Sequence, residues 1–246
     1  MLKIENVEVV GWEHAIRGMR NPKNSWDRSD SRMVNTVMKS VEIAPGVDSM
    51  IYEPCEPFPD IGPNDHKLMM SLSSGGPVHA KYRRFIDVYF DVVAPLYWWK
   101  EFETYRNVVA DNPFDIEMNS CSTMHKIHEK EFELSDFSTE HLSSISLSKL
   151  FDTIDTLNIY RRLFVDWDKI DDNTKNAWCV YDRKDAWWQM IQLLPNSYNQ
   201  RRTLKTSYES LAGMLEWRED HKQDEWRVLC KWIRSLPYSE IMDAKE

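Results

Sequence analysis

Residues 2–10 (LKIENVEVV) alternate in the manner of a strand, and Trp12 to Arg20 then carry a short helical pattern. The polar run 21–32, with Pro22 and few apolar anchors, reads as a loop. VEIA at 41–44 is strand-like. The stretch 54–63 that follows holds Pro54, Pro57, Pro59 and Pro63, which predicts an irregular surface segment. HKLMMSLSS is expected to form a short helix ending at Gly75-Gly76. In RRFIDVYFDVV (83–93), Phe85, Asp87, Tyr89 and Asp91 fall on one face and Ile86, Val88 and Phe90 on the other, the signature of a strand with one apolar side. Ala94-Pro95 then opens a helix, LYWWKEFETYR, with the proline in its first turn, where a missing N–H costs nothing. NVVADNPFDIEM reads as a loop before NSCSTMHKIH.

The second half is mainly helical. Between Ser148 and Ile170 the apolar residues Leu150, Ile154, Leu157, Tyr160 and Phe164 make an amphipathic stripe. A second helical stretch runs from Lys175 to Leu194 and stops at Pro195. SYNQRRTLKTSY (197–208) is the best remaining extended segment, and it is basic. ESLAGMLEWRED and QDEWRVLCKWIRSL complete the chain as helices. No internal repeat is present. Strands grouped early and helices late predict an α+β fold. The expected organisation is a single domain over 1–246, with 21–64 and 107–118 as irregular or inserted loops.

Composition narrows the function classes. The chain has 246 residues, 42% of them apolar, with 31 Lys and Arg against 40 Asp and Glu, a net charge of −9. Nonspecific binding to polymeric nucleic acid depends on clustered cations, so DNA or RNA is a poor partner for this balance. No apolar run approaches the ~20 residues that cross a bilayer. The N-terminal stretch lacks the blocks of a signal peptide, so no membrane association and a cytoplasmic location are expected. Only 7 glycines occur, and neither GxGxxG nor GxxxxGK[ST] is among them, so a phosphate must be gripped by side chains or helix N-termini. The 11 tryptophans are read first as core. Cys55, Cys121, Cys179 and Cys230 form no CxxC pair and are expected as free thiols.

Cys121, His125 and His128 could share a helical face, but a fourth zinc ligand at suitable spacing is missing, and polar loop histidines are the expected reading. Ser120, Cys121 and Ser122 sit near histidine without a GxSxG elbow, and NSCST also suits a loop or helix cap. Arg201, Arg202, Lys205 and Arg218 cluster late in the acidic chain, and Arg83 and Arg84 follow His79. Arginine forks suit phosphate. A solvated face of salt bridges is the competing reading.

Taken in chain order, these segments resemble the flavin-dependent thymidylate synthases, in the form of a divergent phage or bacterial branch. The resemblance rests on HKLMMSLSSGGPVHAKYRRFIDVYFDVVAPLYWWKEFETYR through NSCST, on LPNSYNQRRTLKTSYESLAGMLEWREDHKQDEW, and on AIRGMR at 15–20. It implies a central mixed sheet with flanking helices. His79 falls on a flavin-contacting histidine. Arg106 falls on the last Arg of the family's RHR signature, with Thr104 and Tyr105 in place of its first two residues. Asn119 and Ser122 keep an Asn-x-x-Ser spacing, with Ser120 where Glu is expected. Arg218 falls on the Arg that meets the pyrimidine, and His221, Gln223 and Glu225 match the residues after it. Arg201 matches a basic position of the extended segment. The departures are Glu101 for a nucleotide-binding Gln, Ile191 for a nucleotide-binding Arg, Trp217 for Leu, and Ser207 and Glu209 for an Asn and an Arg that help hold flavin.

The resemblance therefore implies FAD as cofactor, with NADPH and methylene-tetrahydrofolate as co-substrates and a pyrimidine deoxynucleotide as acceptor. It implies Arg218 and Ser122 as catalytic residues. His79, Tyr105, Arg106, Ser207 and His221 would lie toward the flavin, and Glu101, Asn119, Ser122, Arg201 and Arg218 toward the nucleotide. No metal is implied, and a homotetramer is. The alternative is a homologue that keeps the fold for nucleotide or flavin binding and has lost catalysis.

Overall fold

The computed structural model describes residues 2–44, 47–109 and 116–243. In chain order it contains β1 (Lys3–Val10), α1 (Trp12–Arg20), β2 (Arg32–Ala44), β3 (Val47–Asp60), α2 (Pro63–Ser74), β4 (Asp87–Pro95), α3 (Leu96–Val109) and β5 (Glu117–Ser120). These are followed by α4 (Ser144–Val165), α5 (Asp172–Ala177), α6 (Arg183–Leu193), β6 (Asn199–Ser207), α7 (Tyr208–Arg218) and α8 (Asp224–Ile233). One sheet has the strand order β1-β4-β6-β5, and β2 and β3 form a separate two-stranded sheet, an α+β arrangement.

Many boundaries follow local chemistry. Pro63 sits in the first turn of α2, and the Ser143 hydroxyl caps α4 by accepting the Ser146 N–H. β4 buries Val88, Phe90, Val92 and Ala94 and turns Tyr89 to solvent, as its alternation predicts.

Four expectations need correction. Residues 21–64 are not irregular throughout, because β2 and β3 pair antiparallel from Arg32↔Asp60 to Ala44↔Val47. Prolines are tolerated there because a two-stranded sheet has only edge strands, and the register slips between Val34 and Thr36, opposite the proline-rich stretch. The strand expected from residue 83 begins only at Asp87, after a 3-10 helix over Ala80–Phe85. Tyr82 holds that helix by bonding to Ser73 Oγ (2.7 Å) and donating to Met69 O (3.0 Å). The helix expected from Lys175 to Leu194 is two. Cys179 turns left-handed (φ 54°), the Val180 N–H returns to Lys175 O, and Asp182 with Asp185 forms a capping box that starts α6. Of the expected 107–118 loop, 107–109 are helical and Glu117 and Met118 begin β5; 110–115 lie outside the described residues.

Backbone contacts divide the chain into two units. The first is Met1–Asn6, Phe90–Val108 and Met118–Leu204. In it Trp98, Trp99 and Phe102 of α3 stack edge-to-face or tilted at 4.8–5.6 Å, and the Trp99 indole donates to Gln200 O at 3.0 Å. The α4 stripe, Leu150, Ile154 and Leu157, packs with Met190 of α6 and with Ile127, Phe132 and Phe137.

The second unit is Val7–Tyr89, Val109–Glu117 and Lys205–Glu246. Trp12 meets Tyr208 and Tyr238 edge-on at 5.3 and 5.5 Å, and the Tyr208 hydroxyl donates to Pro237 O at 2.7 Å. Trp12, Trp98, Trp99 and Trp226 are fully buried, which supports the core reading of tryptophan, whereas Trp26, Trp188 and Trp217 are exposed.

Candidate functional site

The α7–α8 corner of the second unit gathers several residues singled out by sequence. Arg218 ends α7, and its guanidinium lies 5.1 Å from the Trp226 ring centroid, a cation–π distance. The chain turns at once. The His221 N–H donates to Arg218 O (3.1 Å), and His221 Nδ1 accepts the Gln223 N–H (3.2 Å). His221 O accepts from Arg227 at 2.9 Å, and Glu225 and Trp226 are buried in the first turn of α8. This compact turn presents a half-buried guanidinium against an aromatic plane, a geometry suited to a planar, partly negative group.

His79 stands on an exposed turn made by the glycines after α2. Gly76 is left-handed (φ 84°) and its carbonyl accepts the His79 N–H at 3.0 Å. The imidazole lies against Gly75, where a Cβ would approach its Cδ2 to 3.2 Å, so the absence of a side chain there lets the ring settle back on the helix end.

Ser207 is buried and caps α7, its hydroxyl accepting the Ser210 N–H. It acts on helix geometry from a fully buried position. Glu209, at the position where the family resemblance expects Arg, forms an ion pair with Arg83 at 2.6 Å, and Arg83 also donates to Ile241 O. That pair was not legible from sequence, since the partners lie 126 residues apart.

In the first unit Ser122 and His125 are joined. The hydroxyl lies 3.0 Å from His125 Nδ1 and accepts the His125 N–H. Both are exposed, a short polar turn. His128 stacks on Phe164 at 4.7 Å, and no group of three or more His, Cys, Asp or Glu placed to hold a metal occurs among the described residues. Asn119 lies exposed on β5 and Glu101 exposed on α3. β6 positions this loop, with Arg201 O accepting the Cys121 N–H and the Gln200 side-chain Nε2 donating to Cys121 O. The side chains of Tyr105 and Arg106 fall outside the described residues.

The basic cluster resolves into ion pairs. Arg201 reaches Glu5 at 2.6 Å and Asp91 at 3.1 Å. Hydrogen bonds from Lys3 and Arg201 hold the Glu5 carboxyl below its usual range, and those from Thr203, Asn6 and Arg201 do the same for Asp91. A substrate anion at Arg201 would compete with these two carboxylates. Arg202 meets Glu103 at 2.6 Å and lies 4.3 Å from the Trp99 ring centroid, and Lys205 meets Asp87 at 2.8 Å. For these three cations the salt-bridge reading prevails.

No protein-family model and no curated protein matches the chain. Solved structures do. Thymidylate synthase X (ThyX) from Helicobacter pylori with FAD and dUMP is similar at 15% identity, with 98% of this chain and 96% of that one covered and a TM-score of 0.57. A second structure, the flavin-dependent thymidylate synthase ThyX from Helicobacter pylori complexed with FAD and dUMP, covers 98% and 100% at the same identity and TM-score. The chain has the fold of the flavin-dependent thymidylate synthases.

Proposed function

We propose that this protein is a flavin-dependent synthase of the thymidylate synthase kind. It transfers and reduces a one-carbon unit from methylene-tetrahydrofolate onto a pyrimidine deoxynucleotide, dUMP first among them, with FAD and NADPH. The observation that carries the reading is the α7–α8 corner, where Arg218 faces an aromatic plane, in a fold whose solved neighbours hold FAD and dUMP. Bound flavin would supply the hydride, leaving the protein to bind, orient and exclude water. Arg218 meets the pyrimidine and stabilises negative charge as it develops on the ring, a donor aimed in advance at that position. Trp226 beneath its guanidinium limits the angles it can adopt. Ser122 and Asn119 contact the nucleotide, Ser122 with its hydroxyl already oriented by His125.

Among the described residues, His79 fits a flavin contact through its exposed ring on a glycine turn, and His221 through its place beside Arg218. Arg106 and Tyr105 complete that set. Ser207 supports it indirectly by capping α7. The working form in this reading is a cytoplasmic homotetramer.

A second reading, a binding homologue without catalysis, is favoured by one observation. Glu209 is neutralised by Arg83 at the position where the resemblance expects a flavin-holding cation. Absorption spectroscopy with added FAD separates the two. A bound flavin band bleached by NADPH and restored by air, with dUMP turned over, supports the enzyme. Arg218-dependent dUMP binding with no flavin band supports the second reading, and absence of both overturns each.

A further inference from the structure

A cleft of about 390 Å³ opens between α1 and the segment leading into β2, all within the second unit. Its back wall is tightly bonded. Arg20 donates through Nε to Asp65 Oδ1 (2.6 Å) and through a terminal nitrogen to Ser25 O (3.1 Å). Ser29 and Ser31, which also line the cleft, donate their hydroxyls to Asp65 Oδ2 at 2.7 Å each. These groups are satisfied and hold one another in place.

The front of the cleft differs. Glu13 and Arg17 stand one turn apart on the exposed side of α1, the spacing at which opposite charges pair on a helix. Among the described residues neither side chain makes a hydrogen bond or ion pair. Arg32, also at the rim, already faces Asp60 at 2.9 Å. Trp26 completes the lining. Its indole N–H is tied to Asn21 at 2.8 Å, yet the residue is 50% exposed. One concavity of small-ligand size thus offers an unpaired acceptor, an unpaired guanidinium and an uncovered aromatic plane on a rigid back wall.

We infer that this cleft binds a small planar aromatic compound carrying an amino group on its ring and an anionic group. Glu13 accepts from the amino group, the Arg17 fork holds the anion, and Trp26 covers the ring. The anion is the phosphate of an aminated nucleotide or the carboxylate of an amino-aryl acid, and Arg17 serves both in the same way.

The test follows the indole N–H resonance of Trp26 by NMR in the intact protein, identified as the peak lost in Trp26→Phe. AMP and 4-aminobenzoate are titrated separately, with ribose 5-phosphate and adenosine as partial probes. A saturable shift with AMP assigns the phosphate source, and one with 4-aminobenzoate the carboxylate source. In either case Arg17→Gln is expected to raise Kd by ~10-fold or more, as loss of a charge-assisted hydrogen bond does. Glu13→Gln should weaken binding less, and ribose 5-phosphate should leave the peak unmoved. Both substituted residues are exposed, so melting temperatures should stay at the wild-type value. Arg218→Ala should leave the titration unchanged, which keeps this cleft separable from the nucleotide site proposed above. An unmoved Trp26 peak with both AMP and 4-aminobenzoate at millimolar concentration overturns the inference, as does an Arg17→Gln variant that binds like wild type.

Discussion

Arg20 Nε and Asp65 Oδ1 lie 2.6 Å apart, with the two side chains 4% and 0% exposed, so the pair is held out of water. Asp65 accepts four further hydrogen bonds, from the backbone N–H groups of Asp30 and Ser31 and the hydroxyls of Ser29 and Ser31. One carboxylate thereby anchors the chain between α1 and β2 to the start of α2. Removing either charge leaves the other buried and alone, which costs about 3–5 kcal/mol. Arg20→Ala and Asp65→Ala are each expected to lose that much in urea denaturation. Asp65→Asn, which keeps an acceptor oxygen, is expected to lose less.

The same pair sets an acid limit. Burial pushes the Asp65 carboxyl up, but hydrogen bonds from Ser29, Ser31, Arg20 and the Asp30 N–H outweigh it and hold the group below its ordinary 3.8. The unfolded chain therefore takes up the proton first as pH falls. The stability Asp65 contributes is complete above about pH 4 and is lost as pH drops through its folded-state value. Denaturation series should show a constant gap between wild type and Asp65→Ala from about pH 5 to 8, narrowing below about pH 4. A gap that widens in acid would contradict this.

Gly11 precedes α1 at φ 91°, and a Cβ there would sit 1.9 Å from Phe85 O. Side chains are disfavoured at that φ, and the obstacle is backbone that cannot swing away. Gly11→Ala is expected to cost more than about 3 kcal/mol, beyond the usual penalty for left-handed strain alone. Gly76, also at positive φ, has nothing within 4 Å of the point where a Cβ would stand, so Gly76→Ala should cost about 1 kcal/mol. Thermal melts of the two variants, compared side by side, check the difference.

Arg218 and Arg201 should part company in binding. In the proposed reading Arg218 lies at the ligand, so Arg218→Ala is expected to weaken dUMP affinity by ~10-fold or more. Loss of its cation–π contact with buried Trp226 should lower the melting temperature as well, without unfolding the protein. Arg201, engaged with Glu5 and Asp91, should alter affinity much less when changed to Ala. Its effect should be a lower melting temperature whose gap from wild type closes as salt is raised, since these charges are partly exposed. Calorimetry and melts across a salt series read both. Equal losses of affinity in the two variants would put Arg201 at the ligand after all.

Thiol chemistry should follow burial. Cys121 and Cys179 are exposed, whereas Cys230 is buried on α8 with its thiol pushed up to about 11, chiefly by burial and against the pull of Arg234. At neutral pH an alkylating reagent should label Cys121 and Cys179 in the native protein and Cys230 only after denaturation, because the thiolate is the reactive form. Peptide mapping by mass spectrometry distinguishes the three.

Hydrophobic periodicity determined much of this protein unaided. α1 runs from Trp12 to Arg20 as its pattern requires, β4 buries Val88, Phe90 and Val92, and α4 buries Leu150, Ile154 and Leu157. Periodicity reports which face of a local element is dry, and that is a property of neighbouring residues. The order of segments also carried the likeness to flavin-dependent thymidylate synthases, whose fold this chain has. What only the tertiary structure decided is the state of each charge. Arg201 and Arg218 look alike in sequence, but one meets Glu5 across 196 residues while the other lies over Trp226. The β2–β3 pairing was hidden by its prolines, which an edge strand tolerates and a central strand does not. The break at Cys179 was hidden because a left-handed cysteine and a capping box outweigh a continuous apolar stripe. Ion pairs, edges and chain reversals depend on partners distant in the chain, and a local pattern carries no record of them.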